Sequence, residues 1–186
     1  MALTPSTMLA LGTPAPDFRL PDVVSGRTIS LETVAGKTAL LVMFICQHCP
    51  YVQHVKHELT RLGKDYSTSS VGMVAISAND ATRYPDDAPD QLKAMATTLG
   101  WAFPLCYDES QQAAIAYSAA CTPDFFLFDA KRRLVYRGQL DESRPGNGKP
   151  VTGRDLRAAL DAVLAGRAVT PDQRPSVGCS IKWKTS

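Results

Sequence analysis

Residues 38–44 read TALLVMF, an apolar run with no polar alternation after its first position. That pattern suits a strand buried on both faces, the environment of inner strands in a parallel sheet. From Pro50 to about Lys64 the apolar positions Val52, Val55, Leu59 and Leu62 fall three and four apart, one face of a helix. Proline at the first turn of that helix costs little, because the missing N–H has no helical partner there. Residues 71–77 predict the next strand. Leu92, Met95, Ala96 and Leu99 predict a helix that Gly100 ends, and residues 104–107 a short strand. Asp108 is expected to cap a helix running to about Ala119. Residues 125–128 and 134–137 predict two strands joined by a turn at 129–132, and RPGNGKP at 144–150 reads as a loop. Thr152 is expected to cap a last helix whose inner face carries Leu156, Ala159, Leu160, Val163 and Leu164. Ahead of all this, residues 18–20 and 28–31 predict a hairpin around Asp22–Gly26. Strands and helices in this alternation predict an α/β domain with a central mixed sheet. Its expected bounds are 17–165, with residues 1–16 as a loose arm and 166–186 as a tail packing on the domain through the apolar cluster Val177–Trp183.

A chain of 186 residues is about one domain, long enough to bury a core without a metal or disulfide staple. Twenty Lys and Arg stand against 18 Asp and Glu without a basic run, so neither nucleic acid nor a membrane surface is expected as a partner. No apolar stretch approaches the roughly 20 residues of a transmembrane helix, and the N-terminal segment lacks the basic region of a signal peptide. The expected compartment is the cytoplasm. Five cysteines at irregular spacing do not suggest a fully paired secreted framework; in a reducing compartment, clustered cysteines point to catalysis or metal binding.

The most specific local feature is Cys46-Gln47-His48-Cys49-Pro50, between the apolar strand and the amphipathic helix. Two cysteines separated by two residues can close a small disulfide ring, and unpaired N–H groups with the dipole at a helix start stabilise a thiolate. Cys46, the more exposed in such a turn, is expected to be the nucleophile, and Cys49, one turn inside, the resolving thiol. A protonated or donating His48 would favour the Cys46 thiolate further. Two other readings stand beside this one. Zinc would need two more ligands, for which His54 and His57 are at hand, although the helix places them away from the cysteines. Alternatively, both thiols are inert core residues. Haem attachment requires His where Pro50 stands. Thr122-Pro123, immediately before the strand FFLF, is a second feature, since a cis proline at a strand start commonly forms a tight turn at a site.

With these residues in view the chain resembles the thioredoxin-fold superfamily, specifically its peroxiredoxin-like branch, which includes AhpC/TSA and TlpA-related proteins. The resemblance rests on LGTPAPDFRLPDVVSGRTISL at 11–31, KTALLVMFICQHCP at 37–50, YDESQQAAIAYSAACTPDFFLFDAKRRLVYRG at 107–138, and GCSIKWK at 178–184. It implies a thioredoxin-like fold with an N-terminal hairpin extension, and a helix near 90–99 as an insertion. It also implies Cys46 as attacking thiol, Cys49 as resolving thiol and Thr122-Pro123 as the substrate-facing cis pair. His48 matches the histidine that makes the disulfide of protein disulfide isomerase more oxidising. The chain departs from thioredoxin at Ile45, where thioredoxin has Trp, and at Leu40–Phe44, which offers no buried carboxylate as proton acceptor. It departs from peroxiredoxins in having Met43, Ala39 and Pro123 where their peroxide site has Thr, Pro and Arg. Without those donors the peroxide O–O bond loses the hydrogen bonds and charge that stabilise its cleavage.

The expected activity is therefore thiol-disulfide exchange through Cys46 and Cys49, with peroxidase chemistry at Cys46 and a non-catalytic binding or metal-handling module as alternatives. No cofactor or metal is expected, and the partners are protein or small disulfides and a thiol reductant. Ile45 is expected to offer an apolar surface to a substrate. Cys179 is a possible third redox cysteine brought back by the tail, against the simpler reading that Ile181 and Trp183 merely dock. Cys106 and Cys121 read as core. Asp86, Asp87 and Asp90, interleaved with Pro85 and Pro89, read as a solvated loop at a helix start, and GNGK at 146–149 as a turn.

Overall fold

In the computed structural model, which describes residues 3–185, the chain opens with strand β1 (Leu3–Pro5), the hairpin β2 (Arg19–Pro21) and β3 (Thr28–Ser30), and a single helical turn α1 (Leu31–Val34). Then come β4 (Ala39–Phe44), α2 (Pro50–Asp65), β5 (Val71–Ser77), a 3₁₀ turn at Pro85–Asp87, α3 (Pro89–Leu99) and β6 (Leu105–Tyr107). The chain continues through α4 (Gln112–Ala116), β7 (Cys121–Thr122), β8 (Asp124–Asp129), β9 (Leu134–Gly138), α5 (Arg154–Leu164) and β10 (Val177–Ser180).

A five-stranded mixed sheet in the order β6-β5-β4-β8-β9 forms the centre. β4 runs parallel to β5 and antiparallel to β8. Alternate β4 side chains point to opposite faces and so join different cores. Leu41 and Met43 pack with Val52, Leu59 and Leu62 of α2 and Leu156 and Leu160 of α5. Leu40, Val42 and Phe44 pack on the other side with Phe18, Tyr117, Phe126 and Phe128. All six β4 residues are buried, as an apolar run without alternation requires. This is the thioredoxin-like architecture expected from the sequence. No helix among the described residues is long and apolar enough to cross a membrane.

The structure corrects some local expectations. The helix expected from Asp108 to about Ala119 is only the five residues of α4, preceded by Gln111 in the left-handed region (φ 63°). The Asp108 carboxylate instead accepts from the Ala114 amide within that turn, so it braces the loop rather than capping a long helix. Gly153, not Thr152, caps α5. The amides of Thr152 and Gly153 donate to the buried Asp141 carboxylate at 2.6 and 2.7 Å, which brings the chain to the helix start in a left-handed conformation. Gly100 does end α3, at φ +61°, where glycine carries no side-chain penalty.

A second, three-stranded sheet in the order β1-β10-β7 joins both ends of the chain to the strand before Pro123. The N-terminal segment is therefore bonded in place rather than loose: β1 pairs with β10, and the Gly12 and Ala15 amides donate to Leu134 and Arg132 carbonyls. Beyond β10 the tail is stitched down as well. The Lys182 amide donates to Asn79 Oδ1, the Lys182 carbonyl accepts from the Asp80 amide and Gln111 Nε2, and Ile181 is buried while Trp183 is partly exposed.

Candidate active site

β4 ends at Phe44 and α2 begins at Pro50, so Cys46 lies in the connecting loop and Cys49 occupies the helix N-cap. Thr122 lies against both sulfurs. Its hydroxyl is 3.3 Å from Cys46 Sγ, and its carbonyl accepts from Cys49 Sγ at 3.2 Å. The Thr122–Pro123 peptide bond is cis. Residues more than 70 positions apart in the chain are thus brought together at the end of the central sheet.

The expected exposure of Cys46 is not found. Its accessibility is 1%, that of Cys49 is 0%, and Ile45, expected to form an apolar surface, is also at 0%. Strand β10 covers this end of the molecule: it pairs antiparallel with β7, placing Cys179 opposite Thr122 and Ser180 opposite Cys121. An edge that would otherwise present unpaired backbone groups next to the cysteines is occupied by the protein's own tail.

His48 also behaves differently from the sequence expectation. It turns to Asp87 rather than to Cys46, with Nδ1 bonded to the Asp87 carboxylate. That carboxylate also accepts the backbone amides of Gln47 at 2.7 Å and His48 at 3.1 Å, and Asn79 Nδ2 at 2.7 Å. The loop N–H groups expected to support a Cys46 thiolate are therefore bonded to an aspartate. Asp87 is fully buried, whereas Asp86 and Asp90 are exposed, so the solvated reading of the cluster holds for its two outer members only. The 3₁₀ turn starting at Pro85 turns Asp87 inward, while Tyr84 stacks on the His48 ring with centroids 5.3 Å apart. The Lys182 ammonium lies 5.8 Å above that Tyr84 ring.

These contacts set the charges. The hydrogen bond that His48 donates to Asp87 is the main cause raising the His48 pKa, against the opposing effect of burial. Burial opposes ionisation of Asp87, yet the bonds from His48 and Asn79 outweigh it and hold the carboxyl below its usual range. Asp87 stabilisation is thus present above roughly pH 3.9 and lost as pH falls through its lowered folded value. The His48 contribution is complete below roughly pH 6.5 and lost as pH rises through its raised folded value. Asp87→Asn should bring the His48 pKa down, read by NMR titration of its ring. It should also cost about 1–3 kcal/mol, because the buried donors lose their charged acceptor. An unchanged His48 titration would exclude the pair as the source of the shift.

Between the thiols the proton is shared unequally. The neighbouring Cys49 sulfur, burial and the Asp87 charge push the Cys46 thiol up. Cys49 is pushed down, chiefly by its neighbour Cys46, against the opposing effect of burial. The two sulfurs therefore titrate as one coupled pair that gives up one proton well before the other.

Cys179 is buried within this group, and burial together with the neighbouring Cys49 pushes its thiol up to about 12. Cys121 and Cys106 are fully buried, as expected of core residues. His54 and His57 do not gather with the cysteines. Among the described residues the donor atoms close enough to share a metal belong to Cys46, His48 and Asp87. Sequence reading missed Asp87 because a lone aspartate between prolines looks like any solvated loop; only its folding onto the Gln47 and His48 amides distinguishes it.

With this geometry in hand, comparisons with known proteins are informative. A sequence model of the AhpC/TSA family matches residues 11–137. No curated protein matches the chain. An uncharacterized conserved protein from Geobacillus kaustophilus is 55% identical, with a TM-score of 0.98 over 100% of this chain and 98% of that one. A hypothetical protein from Sinorhizobium meliloti 1021 is 48% identical, with a TM-score of 0.96 over 98% and 100%. At 21% identity, a thiol:disulfide interchange protein of the thioredoxin family from Chlorobium tepidum TLS shares the fold, with a TM-score of 0.63 over 83% and 98%.

Proposed function

Because the chain belongs to the AhpC/TSA family, with its two neighbouring cysteines bonded to one threonine, we propose that it is a thiol-disulfide oxidoreductase cycling the Cys46/Cys49 pair. The observation that carries this reading is the pair of cysteines at a helix start, with Thr122 touching both sulfurs. The Cys46 thiolate attacks one sulfur of a substrate disulfide, while Cys49 keeps the proton that it donates to the Thr122 carbonyl. The departing sulfur leaves as a thiolate and the mixed disulfide stays on Cys46. Cys49 then attacks Cys46, its proton going to the second substrate sulfur, which closes the Cys46–Cys49 disulfide and frees the product as one thiol and one thiolate. A thiol reductant resets the pair. Protein or small-molecule disulfides are the substrate class, and a cytoplasmic thiol pool suits the resetting step. Access to Cys46 requires β10 to lift from β7.

The family match favours a second reading, reduction of peroxide by Cys46. Against it, Cys46 Sγ is bonded to the Thr122 hydroxyl, and the Asp87 carboxylate acts on it as a negative charge. An anion beside the thiol opposes build-up of negative charge on a cleaving O–O bond. Stopped-flow mixing of the fully reduced protein with hydrogen peroxide, and separately with a small disulfide, decides between them. Disulfide exchange is supported by a peroxide rate no better than that of an ordinary thiolate, alongside fast closure of Cys46–Cys49 by the disulfide. A peroxide rate several orders faster would overturn it in favour of the peroxidase.

A further inference from the structure

We propose that Cys179 on β10 is a third redox cysteine, receiving the disulfide from the Cys46/Cys49 pair by exchange at Cys49. The inference deepens the oxidoreductase reading and rests on it. β10 is held beside the pair by its own strand pairing. The Cα positions of Cys179 and Thr122 are register partners, and the Thr122 carbonyl is the group that Cys49 Sγ bonds at 3.2 Å. Cys179 is buried in the same core cluster as Cys46 and Cys49, and Thr122, its register partner, touches both of those sulfurs. Gly178 permits this approach: a Cβ there would lie 1.9 Å from the Thr122 carbonyl oxygen, so any side chain would push Cys179 away.

The step is an internal exchange and needs no oxidant beyond the disulfide that the substrate has already delivered. The Cys179 thiolate attacks Cys49 Sγ of the Cys46–Cys49 disulfide. The Cys49–Cys179 bond forms as the Cys46–Cys49 bond breaks, and Cys46 leaves with the electron pair and takes up the proton that Cys179 lost. One disulfide is present before and after. Cys46 is returned as a thiol while the oxidising equivalent is stored between α2 and the tail.

Peptide mapping of the whole protein tests this, after oxidation with limiting oxidised glutathione, acid quenching and alkylation. Trypsin leaves Cys46 with Cys49 in one peptide, Cys106 with Cys121 in a second and Cys179 in a third, so mass identifies the joined peptides and fragmentation identifies the linked cysteine in each. The expected result is a Cys49–Cys179 link alongside Cys46–Cys49 in the wild type, and Cys49–Cys179 as the main link in Cys46→Ser. The proposal is overturned if Cys46–Cys49 forms in the wild type while Cys179 stays fully alkylatable in both the wild type and Cys46→Ser. It is also overturned if Cys179 links only to Cys121. Failure of Cys46–Cys49 to form at all would instead count against the oxidoreductase reading itself.

Discussion

Replacing Cys49 with serine is expected to turn the protein into a covalent trap that holds its substrates on Cys46. The resolving step requires a second sulfur within reach of the mixed disulfide, and Cys49 is the sulfur that shares the Thr122 contact with Cys46. A serine hydroxyl cannot displace a thiolate from sulfur, so the intermediate should persist under non-reducing conditions and dissolve with excess dithiol. Cys46→Ser should form no mixed disulfide at position 46 and show no turnover with small disulfides. Affinity purification of both variants from cells, compared on non-reducing gels, makes the check. Adducts missing from Cys49→Ser, or equally abundant on Cys46→Ser, would contradict the assignment of attacking and resolving thiols.

Gly178→Ala carries the second large expectation. The added methyl would meet the Thr122 carbonyl oxygen at 1.9 Å and its carbon at 2.7 Å. Those atoms are backbone, fixed by the β7–β10 pairing and by the bond from Cys49, so relief must come from β10. Forcing a methyl into such a contact typically costs about 1–3 kcal/mol, which falls on the closed arrangement alone if β10 lifts. A shift of about 1.4 kcal/mol changes an equilibrium tenfold. Alkylation of Cys46 and Cys49 by a small maleimide should therefore accelerate on the order of tenfold or more, while the circular dichroism of the central sheet is unchanged. The β10 pairing lies outside the five-stranded sheet, which is why the fold should survive. Alkylation at the wild-type rate in a folded variant would show that β10 is not the cover over the cysteines.

The two variants separate chemistry from access. Cys49→Ser leaves the cover in place and removes the second thiol; Gly178→Ala leaves both thiols and disturbs the cover. A protein with a fast reagent-accessible Cys46 in the second variant but no trapped substrate in the first would have reactive thiols without disulfide exchange as its function.

Much of this molecule was legible from local residue patterns. TALLVMF cannot be satisfied except between two apolar layers, and Val52, Val55, Leu59 and Leu62 can form one stripe only on a helix. The cysteine pair, its place between strand and helix, and Thr122-Pro123 are contiguous signals whose chemistry follows from residue type. What the tertiary structure alone decided is the electrostatic and steric state of that site. Asp87 takes the amides of Gln47 and His48 that would otherwise face Cys46, and β10 fills the β7 edge and brings Cys179 to Cys49. Neither fact has a local signature. Asp87 lies 41 positions from Cys46 and Cys179 lies 130 from Cys49, joined by hydrogen bonds that any polar or short apolar segment could make. Hydrophobic period is written residue by residue along the chain, so it can be read there. Which donor meets which acceptor depends on how distant segments pack, and a buried carboxylate or a strand laid over a thiol exists only once they have.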